Sequence, residues 1–165
     1  MCWKIDKNEF VKFPKSYHKI ADEDIFVYKY GKISEDDNCF HPYVKKCFSY
    51  KPNVLNEKIK INLEEDEDMY LHYVYYNINE GYHSYSGECK NFYERPRGKN
   101  FCIETINIIG EFIIPKGTEY YENEYGDIVS TQLVWTGKFK HLIDIKLEEY
   151  TKVKFKDIDY VLANR

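Results

Sequence analysis

The segment FCIETINIIGEFIIP, residues 101–115, constrains the fold most, because it is the clearest strand run in the chain. Its apolar and polar side chains alternate, and β-branched residues of this kind fit a pleated sheet. Gly110 interrupts the run, which predicts a bulge or a bend at that point. Turn signatures follow at Pro115–Gly117 and Asn123–Asp127, and Val129–Trp135 alternates as one further strand. The pattern predicts strands joined by tight turns.

The composition extends this prediction to the whole chain. Its 165 residues include 17 tyrosines and 10 phenylalanines, whereas alanine, the best helix former, is nearly absent. We predict an α+β fold: a mostly antiparallel, bent sheet with one or two short helices. The length fits a single domain, residues 1–165, with an N-terminal arm over 1–20 and a C-terminal segment over 138–165. A first strand is expected over residues 22–30, ended by Gly31.

The stretch between residues 32 and 100 is less regular. Residues 32–53 are polar and aperiodic, which predicts a long irregular excursion, and residues 58–63 predict a weak strand. The acidic run EEDED, residues 64–68, most often marks a solvated face or a loop, and it lacks the glycine of a calcium loop. Residues 69–78 favour a strand, and residues 86–100 have room for one short helix, as does the tail around 155–163.

Charge and cysteine usage exclude several classes of protein. The net charge of −4 and the pI of about 5.8 give no electrostatic footprint for nucleic acid. We find no long apolar run for a membrane span and no secretory signal, which predicts a cytoplasmic protein. The five cysteines are expected to be reduced thiols. Histidine spacings match no metal motif, so neither a metal nor a cofactor is predicted, although distant residues such as His72, His83 and Cys89 leave a metal site open.

The element GYHSY, residues 81–85, is a candidate site because it places a histidine beside a serine. Adjacent residues of a strand point to opposite faces, so His83 and Ser84 cannot activate each other directly. Either Tyr82 and Ser84 face a cleft while His83 and Tyr85 pack inward, or the reverse holds. The element is therefore predicted to be one wall of a ligand pocket, and a carboxylate partner for it is missing from the sequence pattern.

A basic patch supplies further candidate binding residues. The densest basic patch consists of Arg95, Arg97, Lys99 and Lys116, and Tyr120 lies near it in sequence. Such residues hold a phosphate or a nucleotide base by pairing and stacking, although ordinary loop charge gives the same pattern.

Four tyrosines lie within the single stretch of residues 70–76, and their period does not place all of them in one core. Tyrosine is enriched at interfaces because it is large, rigid and amphipathic. Some of these side chains are therefore predicted to face a partner, including a second copy of the chain, unless they form a tyrosine-rich core. The tyrosines are Tyr70, Tyr73, Tyr75 and Tyr76.

Several motifs together carry a resemblance. MCWK, ADEDIFVYKYG, NEGYHSYSG and EFIIPKGTEYYENEYGDIVSTQLVWTG follow one another in an order that resembles a family of small uncharacterised proteins of phages and low-GC gut bacteria. The resemblance covers about half of the chain. It implies a small cytosolic accessory protein, of the kind that modulates host defence by binding a host protein or a nucleotide-like signal.

The same order is more faintly similar to the ADP-ribosyltransferase-like fold. That resemblance implies Lys29 on an early strand, His83 and Ser84 on a middle strand and Gln132 on a late strand, with nicotinamide dinucleotide as the substrate. Those enzymes need a carboxylate on the late strand, and Gln132 cannot supply that charge. We therefore predict a non-enzymatic binding protein first, and an enzyme on this scaffold as the alternative.

Overall fold

A computed structural model describes residues 3–42, 48–58, 60–87 and 108–141 of the chain. In chain order, the elements of these residues are β1 (Trp3–Asp6), α1 (Lys7–Lys12), α2 (Pro14–Tyr17), β2 (His18–Ile20), β3 (Ile25–Ile33), β4 (Phe40–Pro42), β5 (Leu55–Glu57), β6 (Glu64–Asp68), β7 (Tyr73–Ile78), β8 (Tyr82–Tyr85), β9 (Ile108–Ile114), β10 (Glu119–Glu122), β11 (Asp127–Ser130) and β12 (Gln132–His141). They form two sheets.

The large sheet is built around β3, β9 and β12, whose runs of valine, isoleucine and aromatic residues favour a buried strand. Within the described ranges it has nine strands: eight follow the order β2-β10-β11-β8-β3-β9-β12-β5, and the ninth, β4, pairs with β3 beside this path. The pairing between these strands is antiparallel. The small sheet has the order β1-β7-β6 and is also antiparallel.

The two faces of the large sheet bury different clusters. We call the face that carries Val27, Phe112 and Trp135 the inner face, and its cluster holds most of the large apolar side chains. The opposite, outer face carries Val129 and Tyr121, against which the small sheet packs. The inner cluster consists of Ala21, Val27, Phe40, Tyr50, Tyr82, Ile108, Phe112, Ile114, Tyr120, Ile128, Leu133, Trp135 and Phe139. The outer cluster consists of Trp3, Ile5, Ile61, Ile78, Tyr121 and Val129.

The predicted mostly antiparallel sheet with short helices is confirmed, and helix contributes so little that the described residues are predominantly β. Residues predicted as an N-terminal arm pack into the sheets: β1 pairs with β7, β2 pairs with β10, and Trp3 is fully buried. The helix candidates at 86–100 and 155–163 fall almost wholly outside the described residues. The described part of the chain contains no helix that is long and apolar enough to cross a membrane.

Some local predictions were wrong, each for a physical reason. Gly31 does not end the first strand, because β3 continues to Ile33 and pairs with β4 across this glycine. A Cβ on Gly31 would lie 2.2 Å from the carbonyl oxygen of His41, so the close strand approach requires glycine there. The acidic run 64–68 is strand β6, whose exposed side chains match the predicted solvated face and not the predicted loop, and the weak strand expected over 58–63 lies earlier, at β5.

The strand predicted over Val129–Trp135 is two strands. Val129 belongs to β11 and packs on the outer face, whereas Leu133 and Trp135 belong to β12 and pack on the inner face. The two strands are separated by Thr131, whose N–H donates a hydrogen bond to the Glu119 carbonyl oxygen at 3.1 Å. The irregularity expected at Gly110 lies on the partner strand, where the register of β12 shifts between Trp135 and Phe139.

Candidate functional site

The GYHSY element forms strand β8 between β11 and β3. Gly81 precedes it with φ +116°, a conformation that side chains rarely adopt. Ser84 pairs with Ile128 of the inner cluster, whereas His83 pairs with Val129 of the outer cluster. The two side chains therefore lie on opposite faces, which excludes a direct histidine–serine pair.

The side chain of Lys29 lies on the inner face of β3 and contacts the backbone of the GYHSY element. Its Nζ donates a hydrogen bond to the carbonyl oxygen of His83. The same Nζ lies 5.6 Å from the centre of the Tyr50 ring. Lys29 is buried, and its contacts with a carbonyl oxygen and an aromatic face offset part of its desolvation. The structure thus brings Lys29 to β8, as the sequence mapping assumed.

The inner face beneath β8 is tightly packed. Tyr82 belongs to the inner cluster, and Ser84 is buried with a side-chain oxygen that has no hydrogen-bond partner. Ser130, which pairs with Tyr82, is also buried, and its side-chain oxygen has no hydrogen-bond partner either. Burial raises the pKa of Tyr50 far above the ordinary value of a phenol, and burial also raises the pKa of Tyr82.

Three further predicted site residues, Gln132, Lys116 and Tyr120, lie at other places in the described part of the chain. Gln132 accepts from Thr118 Oγ1 at 3.0 Å and donates to Glu57 Oε1 at 3.0 Å. Lys116 lies in an exposed turn, where its backbone N–H donates to Asp24. Tyr120 is buried in the inner cluster. Arg95 and Arg97 lie outside the described residues, and so does Cys89.

Across the outer face, four side chains occupy one row of paired positions, which we call the acid–tyrosine row. Asp127 of β11 pairs with Tyr85 of β8, Tyr85 pairs with Tyr28 of β3, and Tyr28 pairs with Glu111 of β9. Directly paired residues of antiparallel strands point to the same face, with Cβ atoms about 5 Å apart. The row therefore consists of two adjacent tyrosines with one carboxylate at each end.

The sequence predicts Asp127 only as a turn residue and does not predict Glu111 as a site residue, although a signal for Glu111 is present. Glu111 is the one charged residue in the run IIGEFII, and it is buried, with 7% of its surface exposed. Asp127 is also buried and accepts from Asn123 Nδ2 at 3.3 Å. A charged residue inside an apolar strand points to a specific role because charged groups are rarely buried without a partner.

A second candidate surface is the hairpin of β6 and β7, whose loop is residues 69–72. The Asp68 carboxylate accepts hydrogen bonds from the N–H groups of Tyr70 and Leu71, both at 2.9 Å. The N–H of His72 donates to the Asp68 carbonyl oxygen at 2.9 Å, and His72 has φ +52°. These contacts fix the backbone of the loop.

This fixed loop holds three large apolar side chains in solvent. Met69 is 75% exposed, Tyr70 is 94% exposed and Leu71 is 71% exposed. We call these three residues the hairpin tip. Some of the four tyrosines of residues 70–76 were predicted to face a partner; Tyr70 is the exposed one, whereas Tyr75 is buried, with its ring 4.5 Å from Lys4 Nζ.

Strand β6 forms the outer edge of the small sheet and is acidic along its whole length. Lys7 pairs with Glu65, the Tyr75 hydroxyl donates to Asp66, and Asn79 donates to Glu64. Charged side chains on an edge strand oppose pairing with another chain through the backbone. The edge is therefore protected, and the tip beside it is the exposed apolar part of the hairpin.

Comparisons of the chain with family models, with curated proteins and with solved structures give no match. The site must therefore be judged on the geometry of its own residues.

Proposed function

We propose that the protein is a non-enzymatic binding protein that docks on a partner protein through the hairpin tip. The observation that carries this proposal is the exposure of Met69, Tyr70 and Leu71 together on a loop whose backbone is already fixed. Isolated exposed apolar residues are common, but three adjacent ones on an ordered loop are typical of an interface anchor.

The fixed loop favours binding because little conformational entropy is lost when a preorganised segment docks. Tyrosine in the centre of the tip supplies a large, rigid contact with a polar end, which is the usual character of an interface hot spot. We therefore expect the tip to enter an apolar pocket, with Tyr70 as the main anchor.

The charge beside the tip defines the rim of that pocket. Five consecutive acidic residues, Glu64–Asp68, lead into the tip, and their complement is a partner surface rich in lysine and arginine. A second copy of the chain docked edge to edge would place like charges opposite each other, which is unfavourable. The family resemblance makes a host protein in a bacterial cytoplasm the proposed partner, with the chain as a phage-type accessory protein that modulates host defence.

The alternative of an enzyme on an ADP-ribosyltransferase-like scaffold, or a site for a nucleotide-like signal, stays a prediction. Lys29 and Ser84 lie on the inner face, whereas Glu111 lies on the outer face, and Gln132 is bonded to Thr118 and Glu57. The exposed hairpin tip supports the binding proposal, whereas the Glu111 carboxylate lies on the opposite face of the sheet from Lys29 and Ser84.

The test compares a tip variant with a matched surface variant. In the first, Met69, Tyr70 and Leu71 are all changed to serine. In the control, Val11, an exposed apolar residue of α1, is changed to serine. Each immobilised protein is incubated with bacterial lysate, and retained proteins are quantified at low and at high salt. We expect a specific set that Val11→Ser retains, that the tip variant loses at least tenfold, and that high salt weakens.

Retention of the same proteins by the tip variant would show that the tip is not the docking surface. Circular dichroism spectra of the three proteins should coincide, because serine at exposed loop positions leaves the core contacts unchanged.

A further inference from the structure

The hairpin tip holds an exposed sulfur atom. Met69 is 75% exposed, whereas methionine side chains in folded proteins are mostly buried. The described part of the chain has one other sulfur atom, in Cys39, which is buried and whose Sγ lies 3.3 Å from the Asp37 carbonyl oxygen. Of these two sulfur atoms, an oxidant in solution therefore reaches the one in Met69. The sequence contains one further methionine, Met1.

The bonds that fix the loop do not involve Met69. The Asp68 carboxylate accepts from the N–H groups of Tyr70 and Leu71, and the Asp68 carbonyl oxygen accepts from the N–H of His72. A chemical change at the Met69 sulfur therefore leaves these three hydrogen bonds in place. Such a change alters the polarity of the hairpin tip and not the shape of its backbone.

We infer that Met69 is a site of reversible oxidation by hydrogen peroxide, and that its sulfoxide converts the hairpin tip from an apolar to a polar surface. The sulfur attacks one peroxide oxygen with a lone pair, so that an S–O bond forms as the O–O bond breaks. The proton of the transferred oxygen passes to the departing oxygen, which leaves as water. The sulfur is oxidised by two electrons and the peroxide is reduced by two. Methionine sulfoxide is polar, and two reductases, one for each sulfoxide epimer, convert it back to methionine.

The consequence for docking rests on the proposed function of the hairpin tip. A sulfoxide oxygen that enters an apolar pocket loses its hydrogen bonds to water, and an apolar pocket does not replace them. Met69 directly precedes Tyr70, the expected anchor, so the new polar group lies within the contact. We therefore expect oxidation of Met69 to weaken docking at least tenfold, with Tyr70 and Leu71 chemically unchanged.

The first experiment measures the reaction itself. The full chain and N-acetylmethioninamide are treated with hydrogen peroxide, oxidised thiols are restored with dithiothreitol, and sulfoxide is quantified by peptide mass spectrometry. We expect Met69 to react within about threefold of the rate of the free compound, because most of its surface is exposed, and the two reductases to reverse the product. A rate more than tenfold slower, or a product that the reductases leave unchanged, would overturn the inference.

The second experiment measures the polarity of the tip without any partner. Oxidised wild-type protein should elute earlier from phenyl-agarose than untreated protein does, and the reductases should restore the original elution. Met69→Leu, which keeps an apolar side chain and has no sulfur there, should elute at the same position before and after peroxide. Hydrogen exchange of the Tyr70 and Leu71 amides should not change on oxidation. Equal shifts of the wild type and Met69→Leu, or a loss of amide protection, would contradict a change confined to the polarity of Met69.

The third experiment separates this inference from the proposed function. After the peroxide is removed, oxidised wild type and oxidised Met69→Leu are immobilised and incubated with the bacterial lysate, beside the serine variant of the tip. We expect oxidised wild type to lose the tip-dependent proteins at least tenfold and Met69→Leu to retain them. If the serine variant loses these proteins and oxidised wild type does not, the inference fails and the proposed function stands. If the serine variant retains them, the proposed function fails together with the docking consequence, and the elution from phenyl-agarose decides the oxidation of the tip.

Discussion

The hairpin loop provides the sharpest test of how its sequence fixes its shape. The Asp68 carboxylate accepts two backbone hydrogen bonds, from Tyr70 and Leu71, at 2.9 Å each. An exposed hydrogen bond of this kind contributes about 0.5–1.5 kcal/mol, and loss of a capping side chain costs about 1 kcal/mol. We therefore expect Asp68→Ala to destabilise the loop by about 1–2 kcal/mol.

Amide hydrogen exchange measures this effect at the two donors. Since 1.4 kcal/mol corresponds to a tenfold change, protection of the Tyr70 and Leu71 amides should fall about tenfold in Asp68→Ala. Asp68→Asn is the matched control, because an amide oxygen still accepts and only the charge is lost. It should keep most of the protection. If neither variant loses protection, the Asp68 carboxylate does not hold the loop and the preorganised tip has another cause. Equal loss in both variants would contradict the expectation that a neutral oxygen acceptor suffices.

Three further predictions concern stability. Ser84→Ala should leave the free energy of unfolding unchanged or raise it by about 1 kcal/mol, since its buried hydroxyl makes no hydrogen bond; a loss above 1 kcal/mol in urea denaturation would contradict this. Gly31→Ala should lower the melting temperature by several degrees, because its Cβ would strike the His41 carbonyl oxygen; an unchanged temperature would mean that β3 and β4 separate easily. The pKa of Asp37 lies below its usual value, chiefly because its carboxylate accepts a hydrogen bond from the Cys39 N–H. The stability due to this bond is therefore present above about pH 4 and is lost as the pH falls through the lowered pKa. The free energy of unfolding of Asp37→Asn should depend less on pH in this acid range, and identical pH profiles of the variant and the wild type would refute the assignment.

The sheet could be predicted because each of its signals is local. The apolar run of residues 108–114 forms strand β9, and the turn at Pro115–Gly117 recurs in the structure, where Gly117 has φ +86° and the N–H of Thr118 donates to the Pro115 carbonyl oxygen. Tight turns and half-buried strands depend on a few adjacent residues, so their sequence patterns are readable without the rest of the fold.

The acidic strand β6 could not be predicted, because its backbone bonds come from β7 rather than from its own composition. Its side chains are mostly exposed on both faces, so no alternation of apolar and polar residues marks it. Tertiary pairing therefore overrides a sequence that reads as a loop.

The candidate site was predictable in part. The opposite faces of His83 and Ser84 follow from strand geometry, and the contact of Lys29 with β8 matches the expected neighbourhood. The resemblance implies a carboxylate on the late strand, at the position of Gln132. The buried carboxylate of Glu111 lies instead on β9, beside β3, and on the opposite face from Lys29 and Ser84. Which strands become neighbours is a long-range property, and no spacing in the sequence encodes it.

The pairing of the N-terminal strands has a consequence for how the chain folds. Trp3 pairs with Ile78, and His18 pairs with Tyr121, so both β1 and β2 find their partners far along the sequence. Contacts of such long sequence separation slow folding, since a large loop must close before they form. During synthesis residues 3–20 emerge long before β7 and β10, and Trp3 stays uncovered until then. We therefore expect residues 3–20 to be mobile on the ribosome until β7 and β10 are made, and to join the two sheets only afterwards.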